Sequence, residues 1–152
     1  MSIPVDRRAA RVLLVDAGDR VLLLHGTDPG DPAQGDWWFT PGGGLDEGEE
    51  PVQAARRELA EETGLVLPIE HLGPVVHERV ARFSFNGTDY RQAEVFYVAR
   101  VERHEVDTAG WSALEVASVT GHRWWPRAEL LTTRERVYPA DLADVLDRVL
   151  AA

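Results

Sequence analysis

Hydrophobic and polar positions in the first part of the chain predict short strands separated by turns. The apolar runs at residues 11–15 and 20–24 flank a polar turn at residues 16–19, which indicates a β-hairpin of largely buried strands. Residues 26–35 have the composition of a loop, and residues 36–40 are predicted to form another short strand. The chain therefore begins with β-structure.

The middle of the chain predicts a longer hairpin followed by a long polar loop. Residues 72–85 and 90–101 are predicted strands, joined across Asn86 and Gly87, a dipeptide favoured in type I′ hairpin turns. Residues 102–120 are polar and irregular. A loop of that length is a candidate functional segment.

The last part of the chain adds one strand and two helices to this pattern. Residues 122–125 predict a strand, residues 126–131 a short helix that starts at a proline, and residues 139–150 an amphipathic helix. Strands mixed with helices in this way indicate an α/β protein.

A further helix is predicted at residues 51–63, after a glycine-rich loop. Pro41 and the three glycines at residues 42–44 predict a loop, because proline lacks an N–H and glycine adopts positive φ freely. Pro51 is favoured at the first helical position, and Gly64 is placed where a left-handed helix cap favours glycine.

One face of this helix carries the carboxylates Glu58, Glu61 and Glu62. Like charges at this spacing destabilise a helix by about 0.2–0.5 kcal/mol per pair. Two interpretations are open: a solvated acidic surface partnered by Arg56 and Arg57, or a set of oxygen ligands for a hard cation such as Mg²⁺ or Mn²⁺. Because Mg²⁺ often completes its shell with substrate phosphates, the second interpretation predicts phosphate chemistry.

The order of fixed residues here resembles the complete signature of the Nudix hydrolases. The matching positions are Gly43, Glu49, Arg57-Glu58-Leu59, Glu61-Glu62 and Gly64-Leu65, with the spacing of that signature between them. The resemblance implies a three-layer α/β/α sandwich around a mixed β-sheet. It also implies Mg²⁺-dependent hydrolysis of a pyrophosphate bond in a nucleoside diphosphate linked to another group X, with Mn²⁺ as a second cation.

Group X stays open between a nucleotide triphosphate, a sugar nucleotide and a dinucleotide, and the products are a nucleoside monophosphate with phosphate or phospho-X. The proline that marks ADP-ribose hydrolases is absent, since Val80 and Ala81 stand at its place. Phe83 weakly resembles a tyrosine of dinucleoside polyphosphate enzymes, so the subfamily stays open. A domain of this kind that binds a nucleotide without catalysis, as a sensor or partner module, is the alternative function.

By similarity to the family, the metal ligands are Glu58 and Glu62, and Glu61 is a ligand or supports one through water. The carbonyl of Gly42 is a further candidate ligand. For the catalytic base, Glu58 is the first candidate, since family members use either a glutamate of the signature or one from a later loop. Glu115, and then Glu105, are the candidates in the loop at residues 102–120.

Supporting and substrate-binding roles fall on other residues. Gly43, Glu49 and Arg57 are expected to support the site, with Arg57 pairing with Glu49 and orienting the helix face. Arg91, Gln92 and Glu94 form a polar group on a predicted strand, which either lines the substrate pocket or is an ordinary outward face. Trp37 is a further substrate-binding candidate, because aromatic rings stack on nucleobases.

Composition sets the class of protein and of partner. A chain of 152 residues is predicted to form one domain, residues 1–152. The formal net charge of −10 argues against a nucleic-acid polymer as partner and favours a small-molecule nucleotide. No signal peptide or membrane-spanning segment is apparent, and there is no cysteine, so we expect a cytoplasmic protein; the family resemblance allows a homodimer.

Overall fold

The computed structural model describes residues 3–151, which form eight strands and four helices. The strands are β1 (Val5–Val15), β2 (Val21–Thr27), β3 (Asp36–Phe39), β4 (Gly42–Gly44), β5 (His77–Phe85), β6 (Thr88–Arg100), β7 (Val119–Trp125) and β8 (Val137–Tyr138). The helices are α1 (Pro51–Thr63), α2 (Ala113–Ser118), α3 (Arg127–Thr132) and α4 (Leu142–Ala151). Short 3₁₀ turns occupy Pro32–Gln34 and Ile69–Leu72.

All eight strands belong to one mixed sheet in the order β5-β6-β1-β2-β3-β8, with β4 paired to β1 and β7 paired to β2. The long strand β1 runs parallel to β6, from Val5 opposite Tyr90 to Val15 opposite Arg100. The other edge of β1 is shared, since β4 pairs with it near the middle and β2 pairs with it at Val15. The expected β1–β2 hairpin is therefore present, although the main partner of β1 is β6.

Two hydrophobic clusters lie on opposite faces of the sheet. Alternate residues of β1, including Val12 and Leu14, pack with Leu59 of α1 on one face. The intervening residues, including Leu13, pack with Leu146 of α4 on the other face. The sheet is thus covered by helices on both sides, and the α/β/α sandwich is confirmed.

Helix α1 has the predicted bounds. Pro51 is its first residue, and the N–H of Glu50 donates to Oε1 of Gln53 at 2.9 Å. At the other end Gly64 has φ 76° and its N–H donates to the carbonyl of Ala60 at 2.9 Å. The capping residues that the sequence indicated therefore define the helix.

The predicted hairpin of β5 and β6 is confirmed, with one boundary corrected. Asn86 and Gly87 have φ of 49° and 82°, as a type I′ turn requires. Strand β5 begins at His77 rather than at residue 72, because Gly73 takes φ 61° and breaks the extended run after the turn Ile69–Leu72.

The loop predicted at residues 42–44 is wrong, because Gly42–Gly44 form strand β4 against β1. The glycines allow this pairing to be unusually close. A Cβ on Gly42 would lie 2.3 Å from the carbonyl oxygen of Ala10, and one on Gly43 would lie 2.6 Å from Oε1 of Glu58. The glycines predicted a loop from the sequence. In the fold, their lack of side chains allows β4 to pack closely against β1 and Glu58.

The prediction that residues 102–120 are irregular throughout is also wrong. Helix α2 occupies Ala113–Ser118, and β7 begins immediately after it at Val119. A capping box starts α2: Ser112 Oγ accepts from the N–H of Glu115 at 3.2 Å, and Glu115 Oε1 accepts from the N–H of Ser112 at 2.9 Å. Among residues 3–151, no helix has the length and apolar content needed to cross a membrane.

Candidate functional site

Three glutamates from two helices form an acidic group beside β4. One carboxylate oxygen from each of Glu58, Glu62 and Glu115 lies within 4.8 Å of the other two. Glu58 and Glu62 are one turn apart on α1, so they share a face, and α2 brings Glu115 to them from a distant part of the sequence. We call these three residues the acidic group.

Glu62 is the buried member of the acidic group, with 3% of its surface exposed. Its Oε1 accepts a hydrogen bond of 2.7 Å from the N–H of Gly42 on β4. Burial, and then the charge of Glu58, raise the pKa of Glu62 well above its ordinary value, which the Gly42 bond only partly offsets. The surroundings of Glu62 therefore disfavour its ionised form, and a nearby positive charge would stabilise it.

Glu58 is more accessible and is held by Arg57, whose Nη1 donates to Glu58 Oε1 at 3.0 Å. Burial raises the pKa of Glu58, and the Arg57 charge opposes that shift without cancelling it. Oε1 of Glu58 occupies the space that a Cβ on Gly43 would need. This contact is a physical reason for glycine at position 43.

The expected pair between Arg57 and Glu49 is present and bidentate. Nε and Nη2 of Arg57 each donate to a different oxygen of Glu49 at 2.9 Å, and Nη2 also donates to the carbonyl of Gly44 at 3.1 Å. The Arg57 hydrogen bonds lower the pKa of Glu49 to about 2. Arg57 thus connects Gly44 and Glu49, which precede α1, to that helix, and it also contacts Glu58.

The three carboxylates predicted to converge were Glu58, Glu61 and Glu62, but Glu61 does not belong to the acidic group. Glu61 lies beside Arg57, with Oε2 3.3 Å from Nη1, and 44% of its side chain is exposed. Residues three and four apart share a helix face, but Glu61 and Glu62 are adjacent and diverge around α1. The third member of the acidic group is Glu115, and a metal-binding role for Glu61 stays a prediction.

The segment before α2 is fixed against the C-terminal end of α1. Nε1 of Trp111 donates to the carbonyl of Glu62 at 2.7 Å, and the N–H of Asp107 donates to the carbonyl of Thr63 at 2.9 Å. These bonds satisfy carbonyls that lie at a helix end, and they hold α2 in place. Glu105, the other candidate from this loop, is exposed and is not part of the acidic group.

A second polar cluster lies on β6 and the strands beside it. Glu94, 2% exposed, accepts from Nε of Arg11 at 3.1 Å and from Nε of Arg79 at 2.5 Å. The fully buried Gln92 donates to Glu94 at 2.6 Å and accepts from Nε of Arg7 at 2.5 Å. Burial alone would raise the pKa of Glu94, but the charges of Arg11 and Arg79 hold it below its ordinary value. We call these five residues the arginine cluster.

The remaining substrate-binding candidates lie apart from the arginine cluster. Arg91 is on the opposite face of β6 from Glu94 and pairs with Asp6 at 2.7 Å, so the grouping of Arg91 with Gln92 and Glu94 is wrong. Trp37 is half-buried on β3, with the guanidinium carbon of Arg136 5.8 Å from its ring centroid. Substrate contacts of Arg91 and Trp37 stay predictions.

Gly42 connects the two clusters. Its N–H donates to Glu62, and its carbonyl accepts from Nη1 of Arg11 at 3.3 Å. The carbonyl predicted as a metal ligand therefore already has an arginine partner, and its ligand role stays a prediction. Sequence reasoning missed Arg7, Arg11 and Arg79, because their proximity depends on strand pairing that periodicity does not reveal.

The family model for the NUDIX domain matches residues 5–147, a span that contains both clusters. The chain belongs to the NUDIX family. RNA pyrophosphohydrolases of Brucella anthropi and Brucella ovis are 50% identical to it over 54 residues, which is 34% of this chain and 28% of each relative. The match thus spans less than a third of the length of those relatives.

Solved NUDIX structures share the fold at low identity. The MutT protein from Methanosarcina mazei Go1 has a TM-score of 0.69 at 16% identity, covering 99% of this chain and 97% of that one. The NUDIX domain of Shewanella oneidensis NrtR, complexed with ADP ribose, has a TM-score of 0.69 at 22% identity, covering 97% and 90%. A C. elegans Ap4A hydrolase has a TM-score of 0.63 at 19% identity, covering 95% and 96%.

The donor set of the acidic group fits a hard divalent cation. Carboxylate oxygens are the ligands that such cations prefer, and a buried carboxylate with a raised pKa is stabilised in its ionised form by a cation. Glu58, Glu62 and Glu115 are therefore the residues of this NUDIX chain that could hold the metal.

Proposed function

We propose that this NUDIX chain is a Mg²⁺-dependent pyrophosphohydrolase, with Mn²⁺ as a second usable cation. The observation that carries the proposal is the acidic group, because three carboxylate oxygens lie within 4.8 Å of one another and one of them belongs to a buried glutamate. A binding module without catalysis has no need for this costly arrangement of like charge. The pyrophosphohydrolase names of the Brucella relatives agree with the proposal.

The proposed roles follow from the contacts of each side chain. A bound divalent cation offsets phosphate charge and lowers the pKa of a bound water. Glu62 is fixed by the N–H of Gly42, and Glu58 is fixed by Arg57, so both carboxylates are oriented before substrate arrives. Glu115 completes the ligand set from α2.

The catalytic base is assigned first to Glu58 and second to Glu115. Both lie in the acidic group, where either could accept the proton of the attacking water. Glu58 is held on a long helix by Arg57, whereas Glu115 is on a short helix and also accepts from the N–H of Ser112. The longer and better anchored helix makes Glu58 the first choice.

The proposed substrate is a small nucleotide in which a nucleoside diphosphate is linked to a further group. Hydrolysis releases a nucleoside monophosphate and phosphate or phospho-X. The 5′ end of an RNA is a second candidate, favoured by the names of the Brucella relatives, although the net charge of −10 opposes binding of a long polyanion. We propose in addition that residues 1–152 act as one domain that can form a homodimer, which light scattering would test.

A substrate panel tests the proposed function. Purified protein would be mixed with a nucleoside triphosphate, a sugar nucleotide, ADP-ribose, a dinucleoside polyphosphate and an RNA bearing a 5′-triphosphate, and the products would be separated by chromatography. Each reaction is run with Mg²⁺, with Mn²⁺ and after chelation. We expect turnover of at least one nucleotide with either metal and none after chelation. Tight binding without turnover of any substrate would instead support the sensor or partner module.

A further inference from the structure

Three arginines lie together on the sheet face opposite α1. Arg7 and Arg11 are on β1 and Arg79 is on β5, and their Nε atoms all bond to Gln92 or Glu94 of the intervening strand β6. Alternation along β1 places Arg7 and Arg11 on the same face as Leu13, which contacts the α4 side. The three guanidinium groups thus lie on the face of the sheet that also packs against α4.

The buried side chains of Gln92 and Glu94 accept hydrogen bonds from the Nε atoms of these guanidinium groups. The Nε atoms are occupied, while the terminal nitrogens of Arg7 and Arg79 make no hydrogen bond to any residue between positions 3 and 151. The Tyr90 ring lies under Arg7, with its centroid 4.9 Å from the guanidinium carbon. The donors are therefore fixed in position yet free to bind a ligand.

The charge of the arginine cluster is not balanced from within. The guanidinium groups of Arg11 and Arg79 contact a single carboxylate, that of Glu94, while the guanidinium of Arg7 bonds to the neutral amide of Gln92. This cluster of three cations and one carboxylate lies in a chain whose formal net charge is −10. Burial lowers the pKa of Arg7, and the neighbouring charge of Arg11 lowers it further. The side chain of Arg11 is only 15% exposed. A surplus of positive charge in so protected a place is stabilised when an anion binds there.

The acidic group lies on the other side of β4, and Gly42 bonds to both clusters. Nη1 of Arg11 reaches the Gly42 carbonyl, and Glu62 accepts from the Gly42 N–H. The charge of Glu58 also acts on Arg7. An anion on the arginines and a cation on the glutamates would therefore bind close enough to belong to one ligand complex.

We infer that Arg7, Arg11 and Arg79 bind the non-reacting phosphates of a nucleotide 5′-triphosphate, so that a triphosphate is preferred to a diphosphate-linked sugar. The free terminal nitrogens of Arg7 and Arg79 match phosphate oxygens in geometry and charge. Arg11, whose Nη1 donates to the carbonyls of Thr40 and Gly42, adds positive charge beside them. The inference rests on the proposed function, and it narrows the substrate class. A free nucleoside triphosphate and the 5′-triphosphate end of an RNA share this chemistry.

Equilibrium binding tests the inference without depending on turnover. Calorimetry with Mg²⁺ would compare an α,β-methylene nucleoside triphosphate with the matching diphosphate for the wild type and for Arg79→Gln and Arg7→Gln. We expect each substitution to weaken triphosphate binding by about tenfold to a hundredfold, as loss of a charge-assisted hydrogen bond does, and to change diphosphate binding much less. Wild-type triphosphate affinity should also fall as salt is raised.

Matched variants separate the inference from a general effect of charge or folding. Arg82→Gln removes the same charge from the exposed, opposite face of β5 and should leave triphosphate affinity unchanged. Arg79→Lys keeps the charge and should retain part of the affinity that Arg79→Gln loses. Thermal melting identifies any variant that fails to fold, in which case the other arginine variant decides.

The two proposals fail in different ways. If Arg79→Gln and Arg7→Gln bind the triphosphate as well as the wild type does, or lose both nucleotides equally, the inference is overturned even when the wild type hydrolyses nucleotides. If the arginines control triphosphate binding but no substrate is turned over, the inference stands and the proposed function fails. Competition by a 5′-triphosphate oligonucleotide and by the free nucleotide distinguishes the two sources, and competition by neither contradicts the inference.

Discussion

Two glutamates, Glu62 and Glu94, are almost equally buried, yet their pKa values shift in opposite directions. Glu94 accepts hydrogen bonds from two arginines and a glutamine, so its charge is neutralised within the fold. Glu62 accepts one backbone N–H and is close to further carboxylates. Burial alone therefore does not set the direction of the pKa shift. Glu94 has arginine partners at hydrogen-bond distance, whereas the hydrogen bond to Glu62 comes from a backbone N–H.

The largest effect expected from this comparison is on activity, after the substitution Glu62→Gln. It removes the charge of a proposed metal ligand while keeping side-chain shape. Loss of several kcal/mol of metal-dependent stabilisation should lower kcat/KM by about a thousandfold. The assay is steady-state hydrolysis of the best substrate of the panel, with folding checked by circular dichroism. The comparison variant Glu61→Gln should lose only about tenfold, as expected for a residue that lies outside the acidic group and contacts Arg57. Near-normal activity of Glu62→Gln would show that the metal is bound elsewhere.

The substitution Glu94→Gln should act mainly on stability. Removing the carboxylate leaves Arg11 and Arg79 without their shared counter-ion, which costs about 3 kcal/mol, the low end for a broken buried ion pair because Arg79 is partly exposed. Urea unfolding measures the loss. Glu78→Gln, an exposed position on β5, serves as control and should change the free energy of unfolding by less than about 0.5 kcal/mol. Equal stability of the two variants would contradict the structural role of Glu94.

The contribution of Glu94 to stability should also depend on pH. Its pKa in the folded protein is below its ordinary value, so its contribution is complete above that ordinary value and is lost as the pH falls through it towards the lower folded pKa. The stability difference between the wild type and Glu94→Gln should therefore shrink in acid. Urea unfolding at a series of pH values measures it, and a difference that grows as the pH falls would have the wrong sign.

The smallest effect is expected at the cap of α2, which carries Glu115. Ser112→Ala removes the side-chain oxygen that accepts from the N–H of Glu115, at a cost of about 1 kcal/mol. Helix α2 should then exchange its amide hydrogens faster, and kcat/KM should fall by a few-fold because Glu115 is held less firmly. Unchanged exchange in Ala113–Ser118 would show that the contacts of residues 107 and 111 suffice to hold the helix.

Features that depend on residues close together in the sequence could be predicted, and features that depend on the pairing of distant strands could not. The bounds of α1 and the shared face of Glu58 and Glu62 depend on residues within one helix, so spacing and capping signals were enough. The arginine cluster depends on the parallel pairing of β1 with β6 and on the register of β5, which periodicity does not give. Helix α2 had a visible signal, because Ser112 and Glu115 form a capping box in the sequence.

Strand β4 limits how the substrate preference of this chain can be redesigned. Gly42 has φ 147°, and a Cβ there would overlap the Ala10 carbonyl, so the position tolerates no side chain. A Cβ on Gly43 would overlap the Glu58 carboxylate, so a substitution there would disturb the acidic group as well. If the proposed phosphate-binding role holds, libraries aimed at new nucleotides should therefore vary the half-exposed Arg7 and Arg79 and keep Gly42 and Gly43 constant.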